Sequence, residues 1–452
     1  MGAIFGIGFL VLAGVALAKF IQSYTENQRE RWRSAASGLG VEFVQGGFLK
    51  THRILGEVDG VRILVDTYSS GSGNNQTTYT RFRAQSDTPN DLTLKREGLG
   101  SSFKKLFAGE DIQVADEPFD NDVVINGNEL TAVALLGSEA RAQVTALLAA
   151  KGKVQEGEVY WQTSKTLQPA EMVDRGRQLI RVARALSTHG RPWPDLLLRN
   201  SKLDPRPSVR ARNLVILAEK YPATEQTAEA IRAAANDMHP LVRLEGATRL
   251  GPAGIPALAD LTGPQWSDNT VRARAVYRLG RVWPHPEAIA AVERALGDES
   301  LAVRTAAIRV AGGHAFAPAL DIVLAAAQPG QPSSLLEAAA KALPAYPGLR
   351  AEAALVTLLG SDEDTVKTLA ALGLARIGGI AAVEALEPHT SGFFTDGELK
   401  NAAVAAVEAI QERAGAGAIG GGLSLAEPPG AEGAVSLTEP PGQLTLAEPA
   451  DF

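Results

Sequence analysis

Three hydrophobic patterns succeed one another along the chain. Residues 3–18 carry no charge, and Phe20-Ile21 extend the apolar character past Lys19. After a polar stretch over 22–35, which predicts a juxtamembrane helix with Trp32 as its packing or interfacial aromatic, the period changes to two. Val61-Arg62-Ile63-Leu64-Val65 and Thr78-Tyr79-Thr80-Arg81-Phe82-Arg83 predict strands, separated by a Ser/Gly/Asn loop over 69–75. Asp122 to Asn128 predicts a strand running into a turn. Residues 138–150 predict a helix capped at Ser138 with Glu139 in its first turn, and 154–161 a final strand. Met172, Val173, Leu179, Ile180, Val182 and Leu186 then form a helical stripe, ended by Gly190-Arg191-Pro192-Trp193-Pro194. This stripe predicts a helix that bridges the sheet module to the repeats C-terminal to it.

From about residue 200 a dipeptide keeps returning. Val209-Arg210, Val242-Arg243, Val271-Arg272 and Val303-Arg304 recur 29 to 33 residues apart, and Leu335-Leu336, Val366-Lys367 and Leu399-Lys400 continue the series in weaker form. A fixed period of this size means stacked supersecondary units, each unable to bury its apolar face alone. The units begin near Asp204, Asp237, Asp268, Asp298, Asp362 and Asp396, expected to serve as N-caps or first-turn charges. Gly or Pro breaks such as Gly312-Gly313, Gly378-Gly379 and Trp283-Pro284 separate the helices of a unit. The pattern decays at Leu335-Leu336-Glu337, where no arginine follows, so a kink or looser interface is expected there.

The organisation predicted is mostly α: an N-terminal transmembrane helix over 1–21, a small α+β domain over 22–165, a bridging helix over 166–200, an α-solenoid of helical hairpins over 201–413, about seven of them by the repeat period, and a disordered repetitive tail over 414–452. Two readings of the first segment compete. Ala16-Leu17-Ala18 has the small-x-small form of a cleavage site, which would leave a periplasmic or secreted binding module. No basic residue precedes the apolar run, however, and Lys19, Arg29, Arg31 and Arg33 follow it, which favours an uncleaved single-pass anchor with the bulk of the chain in the cytoplasm.

The formal net charge of −7 gives no global basic field for nucleic acid. Cysteine is absent, which excludes a thiol nucleophile or thiolate metal site. The six histidines are scattered, with no pair at helical spacing, so an HExxH-type zinc site is excluded too. No cofactor is expected. Charge is uneven: 204–309 is near balance with a slight basic excess, and 321–412 is acidic, including Asp362-Glu363-Asp364. Arg274, Arg278 and Arg281 stand at i, i+4 and i+7 and so line one helix face. They form a candidate patch for an acidic partner segment, although rows of charge commonly just meet water.

The tail repeats a phrase three times: Leu423-Ser424-Leu425-Ala426-Glu427-Pro428, Val435-Ser436-Leu437-Thr438-Glu439-Pro440 and Leu444-Thr445-Leu446-Ala447-Glu448-Pro449. Apolar–hydroxyl–apolar alternation suits an extended peptide that adds to a sheet edge, and three copies on one tether raise effective concentration. Leu425, Glu427, Pro428, Leu437, Glu439, Pro440, Leu446, Glu448 and Pro449 are the candidate contact residues; a repetitive solubilising tail is the plainer alternative. Gly415-x-Gly417-x-x-Gly420 spells a dinucleotide fingerprint by letters alone, without the preceding strand such a site needs, and is rejected.

Two stretches carry resemblances. Phe119-Asp120-x-x-Val123-x-Ile125-x-Gly127, followed by a helix bearing Arg141, resembles a family of uncharacterised bacterial membrane-associated α+β domains over about residues 35–190, and no activity comes with it. Asp120 and Arg81 could be site residues there, or a turn-capping aspartate and an outward-facing strand arginine. The repeat pattern Asp-x(3–4)-Val-Arg-x-x-Ala-Ala with its glycine break resembles the short HEAT-like repeats associated with phycobilisome lyases, over about residues 200–413. That resemblance implies a structural ladder of contacts among Asp204, Arg210, Asp237, Arg243, Asp268, Arg272, Asp298 and Arg304. The functional expectation is a membrane-anchored, non-enzymatic interaction scaffold for other proteins, without nucleic acid. The alternatives are a chromophore- or tetrapyrrole-lyase-like enzyme and the periplasmic module.

Overall fold

The structure is a computed structural model that describes residues 2–47, 51–72, 75–85, 87–97, 112–391 and 397–420; the side chains of 2–18, 20, 21 and 416–420 lie outside the description. It is mostly helical, with nineteen α-helices and one eight-stranded antiparallel sheet among the described residues. The chain divides into two compact units, 1–346 and 347–452.

The first unit opens with α1 (Gly2–Leu39), one continuous helix that extends beyond the predicted 22–35 stretch. Trp32, Ala35, Ala36 and Leu39 are buried, so Trp32 is a packing aromatic. The strands are β1 (Glu42–Val44), β2 (Arg53–Val58), β3 (Val61–Ser70), β4 (Thr77–Gln85), β5 (Thr93–Arg96), β6 (Val123–Asn126), β7 (Lys153–Gln155) and β8 (Glu158–Thr163), in the order β1-β2-β3-β4-β8-β7-β5-β6. Period-two alternation sends Val61, Ile63, Val65, Phe82 and Ala84 to the buried face, with Arg62, Arg81 and Arg83 opposite.

Two hairpins leave no mark on the hydrophobic period. Asp59-Gly60 (φ 52° and 77°) joins β2 to β3, and Glu156-Gly157 (φ 56° and 73°) splits the expected final strand into β7 and β8. Two consecutive positive-φ residues supply the backbone twist a two-residue hairpin needs, and glycine accepts the second at no steric cost.

Three helices attend the middle of the sheet: α2 (Glu117–Asp122), α3 (Glu129–Leu135) and α4 (Ser138–Ala149). Ser138 is the first helical residue of α4, not its cap; Gly137 holds the cap position and offers no side-chain acceptor. The apolar stripe expected to bridge two modules is α5 (Pro169–Ala185). It packs on α1 and on β3, β4 and β8, and Arg175 lies over the Trp161 ring at 4.2 Å. Its stripe is satisfied by the sheet, so it is a layer of the α+β part. The glycine–proline break comes next, and α6 (Trp193–Leu203) begins the helical pairs.

Five pairs complete the first unit: α6 with α7 (Pro207–Lys220), α8 (Glu225–Ala235) with α9 (Pro240–Arg249), α10 (Ile255–Leu261) with α11 (Asn269–Gly280), α12 (Pro286–Leu296) with α13 (Leu301–Gly313), and α14 (Leu320–Ala326) with α15 (Ser333–Ala342). The second unit holds α16 (Leu349–Leu358) with α17 (Asp364–Ile377) and α18 (Ala381–Thr390) with α19 (Gly397–Gly420). The recurring dipeptide stands in the second helix of each pair. Its apolar member is buried throughout: Val209, Val242, Val271, Val303, Leu335, Val366 and Leu399. The pattern decays in α15, the last α-helix of the first unit.

The aspartates do more than cap. Asp268 is the N-cap of α11, accepting from Thr270 and Val271. Asp204, Asp237 and Asp298 instead stand two residues before the N-caps of their helices, accepting from the backbone N–H of Arg206, His239 and Ser300. That geometry leaves their carboxylates able to meet an arginine of an earlier helix, two elements back in the chain for Asp237 and Asp298. Arg210 holds Asp237 through two hydrogen bonds of 2.9 and 2.8 Å, and Arg272 holds Asp298. Two rungs depart from the expected ladder. Arg243 finds Asp260 at 3.4 Å, and Arg304 donates to the backbone carbonyls of Asp298 and Glu299. Glu363 takes the N-cap position of α17, beside Asp362, and Asp396 lies outside the described residues.

The rung before Arg210 belongs to the sheet module. Arg141, on α4 and 4% exposed, donates to Asp116 at 2.7 Å and to both oxygens of Asp204 at 2.9 and 3.0 Å, with a further bond to the Leu136 carbonyl at 2.8 Å. One buried cation thus ties the α+β part to the first helical pair. A single apolar core runs from Trp32 through Leu197 and Leu214 to Val242.

Asp120 is 7% exposed and accepts from the Val114 N–H at 3.0 Å. Burial raises its pKa, and neighbouring Asp116 adds to the rise against the opposing backbone N–H bonds of Val114, Ala115 and Asp116. A carboxyl whose folded pKa lies above its ordinary 3.8 contributes stability fully below that value and loses it as pH rises through the folded pKa. Urea titrations of the wild type and Asp120→Asn are therefore expected to show the difference moving against the wild type as pH rises above about 4. A flat difference would show that the carboxyl titrates normally. Arg81 lies on the sheet face opposite Phe82, and it is no free surface charge. It grips Asp66 through two bonds of 2.8 Å.

Among the described residues no helix is long and apolar enough to cross a membrane, so the anchor expected for 1–21 is unsupported although α1 covers the segment; most of its side chains there lie outside the description. The helix expected to end at 413 continues to Gly420, and Arg413 donates to the carbonyls of Leu374, Ala375 and Gly378 at the end of α17. The rejected Gly415-x-Gly417-x-x-Gly420 is the last part of this helix.

Candidate interaction surface

Helix α11 carries Arg274 and Arg278 on one face because residues four apart lie one above the other on a helix. Arg281 follows directly as its C-cap, where a cation complements the helix dipole. The structure brings Arg274 and Arg278 beside α9, which contributes Glu245 and Arg249. Arg274 bonds Glu245 at 2.7 Å, and Arg249 bonds the other Glu245 oxygen at 2.6 Å. Two guanidiniums therefore bond one carboxylate, itself only 12% exposed, and Arg278 lies within its field with Arg281 beside it.

The imbalance shows at Arg278. Burial first, then repulsion from Arg281, Arg274 and Arg249, lowers its pKa, with Glu245 alone opposing. An arginine stays charged in spite of such a shift, so the crowding favours the approach of an anion. On the neighbouring helix α13, Arg309 lies 3.9 Å from Glu337 of α15 and reaches the Tyr277 hydroxyl at 3.4 Å. The basic character thus runs over adjacent second helices.

The helix period placed Arg274, Arg278 and Arg281 together. It missed Glu245 and Arg249. A signal existed: Glu245 and Arg274 each stand three residues after the apolar member of their dipeptide, and Arg249 and Arg278 each stand seven after it. Laying the repeats over one another would have stacked the two pairs. The tail candidates Leu425, Glu427, Pro428, Leu437, Glu439, Pro440, Leu446, Glu448 and Pro449 lie outside the described residues.

No family model matches the chain, and no curated protein matches it. Solved structures do match, among them human deoxyhypusine hydroxylase in complex with glycerol. That pair shares 18% identity, with 48% of this chain and 84% of that chain covered, at a TM-score of 0.24. A likeness at that level carries no argument about this chain.

Proposed function

We propose that the chain is a membrane-anchored, non-enzymatic scaffold that holds acidic segments of other proteins on its stacked helical pairs and presents a multivalent tail. One observation carries the reading: Arg249 and Arg274 share the single carboxylate of Glu245, and Arg278 and Arg281 stand next to them with no bonded carboxylate of their own among the described residues. Such a surface gains most from an acidic peptide, whose charges it can pair without displacing an existing partner. The hydrophobic segment over 1–21, with its following positive charges, supplies the anchor in this reading, and the three acidic phrases of the tail supply further weak sites on one tether.

The test compares the full-length protein with Arg278→Gln/Arg281→Gln and with a form ending at Gly420. The cut is placed there because an earlier one would shorten α19. Quantitative affinity capture from membrane extracts is paired with anisotropy on a fluorescent Asp/Glu-rich peptide. The double variant is expected to bind the peptide about ten-fold more weakly, with the difference shrinking as salt rises. Its melting temperature should fall by only a few degrees, since Arg278 is half-buried and Arg281, the C-cap of α11, is exposed, and neither fills the apolar core. The truncated form should keep its stability and lose captured proteins. Equal peptide affinity in wild type and double variant would remove the arginine surface from the reading.

A further inference from the structure

A second basic site lies where the α+β part meets the first helical pair. The N-terminus of α4, the C-terminal end of α5, the loop over 187–191 and helix α6 enclose a cavity of about 630 Å³. Arg181, Arg184, Arg191 and Arg199 line it from three different elements. Arg184 leans on Asp59 at 3.2 Å, an exposed pair of small energetic weight. Among the described residues, Arg181, Arg191 and Arg199 have no carboxylate partner. The two acidic side chains in the wall are Glu139 and Asp204, and Asp204 is committed to Arg141 by both oxygens.

The wall is ordered before any ligand arrives. The loop that presents Arg191 is pinned by Asp87, which accepts from both the backbone N–H and the hydroxyl of Thr188. On the far side Asn200 donates to the Ala134 carbonyl at 2.9 Å, fixing α6 against α3 beneath Arg199. Gly137 gives α4 no side-chain cap, so the first N–H groups of that 12-residue helix open beside the arginines. Leu203, 71% exposed, adds an apolar surface at the wall.

We infer that this cavity binds a phosphate-bearing small molecule, with the phosphate held by Arg181, Arg191 and Arg199 and the body of the ligand against Leu203. Three forked cations need more negative charge than one carboxylate provides, and a phosphate offers about two charges and three acceptor oxygens matched to guanidinium geometry. The volume falls within the roughly 300–1,000 Å³ of small-molecule sites, sufficient for a nucleotide-sized ligand. The site is separate from the α9–α11 surface and does not depend on the scaffold reading.

The test is isothermal titration calorimetry of the full chain with pyrophosphate, ATP and citrate. Pyrophosphate or ATP is expected to bind saturably, about ten-fold more weakly in Arg191→Gln/Arg199→Gln, and unchanged in Arg278→Gln/Arg281→Gln. Tighter binding of ATP than of pyrophosphate would identify a ligand with an organic body; equal binding would identify the phosphate group alone as what is recognised, and remove Leu203. Three results overturn the inference: no saturable binding of either phosphate compound, equal affinity in wild type and the Arg191/Arg199 variant, or binding of citrate alone. Because all four substituted arginines are at least partly exposed, circular dichroism should match the wild type in both variants and melting temperature should fall by only a few degrees.

Discussion

Arg141→Met is expected to lower the stability of the first unit by about 3–5 kcal/mol, measured by chemical denaturation with probes on both the sheet and the helical pairs. Arg141 is 4% exposed and Asp204 an equally buried 4%. Burial alone would pull the arginine's pKa down, yet hydrogen bonds and charge from Asp204 and Asp116 outweigh it, and the net shift is upward. Removing the cation leaves Asp204 with no guanidinium and Asp116 with only the looser Arg206 at 3.6 Å, and also orphans the Leu136 carbonyl. The loss therefore combines an uncompensated charge with an unsatisfied acceptor.

The combined variant Arg141→Met/Asp116→Asn/Asp204→Asn discriminates between causes. If buried charge dominates, removing the carboxylates as well should recover at least half of the loss, because replacing a whole buried ionic cluster is often close to neutral. A single-variant loss below about 1 kcal/mol would show that the cluster is solvated in solution, and that the α+β part and the first pair are joined by apolar contact alone. The same measurement reports cooperativity. One core runs from Trp32 to Val242, so sheet and helix probes should move together in the wild type and separate if Arg141 is the joint.

Gly246→Val is the second large effect, expected at about 3 kcal/mol or more by thermal and urea denaturation. Gly246 lies inside α9, where glycine costs about 1 kcal/mol relative to alanine, so helix propensity favours replacement. Packing decides otherwise. A Cβ at this position would stand 2.3 Å from the Ala235 nitrogen and 2.5 Å from the Ala234 carbonyl carbon at the end of α8. These are backbone atoms with no rotamer to yield, so the helices of the pair must separate. Even Gly246→Ala should be destabilising despite its better propensity. Gly313→Ala is the matched control: it lies in α13, its Cβ would meet nothing within 4 Å, and the substitution should be neutral or slightly stabilising. Equal effects at the two glycines would mean that α8 and α9 tolerate a wider spacing than the structure shows.

Much of the molecule's framework was legible in its sequence, for a local reason. Burial follows the period of the element that carries it, so the alternation at Ile63, Val65, Phe82 and Ala84 and the recurrence of Val209, Val242, Val271 and Val303 name their buried residues directly. The Asp59-Gly60 hairpin was also written in the chain, as a turn signal that hydrophobic period alone does not use. The seating of α5 was not. Its apolar stripe says that one face must be covered, and a sheet or a neighbouring helix would serve equally well.

Charge pairing was decided by tertiary structure. The sequence supplied a row of aspartates and arginines at similar spacing, but a guanidinium bonds whatever carboxylate stands within about 3 Å of its fork, and that depends on how one helix is displaced against the next. Hence Arg210 and Arg272 reach the following aspartate of the row, while Arg243 settles on Asp260. Arg141 enters the series from a different part of the fold, and Glu245 and Arg249 join Arg274 and Arg278 across a helix interface. The cavity with Arg181, Arg191 and Arg199 arises in the same way, from a helix, a loop and another helix. Periodicity fixes which side chains leave the core; only the packed backbone sets which of them meet, because Coulomb and hydrogen-bond energies fall off over distances shorter than the uncertainty a repeat period leaves.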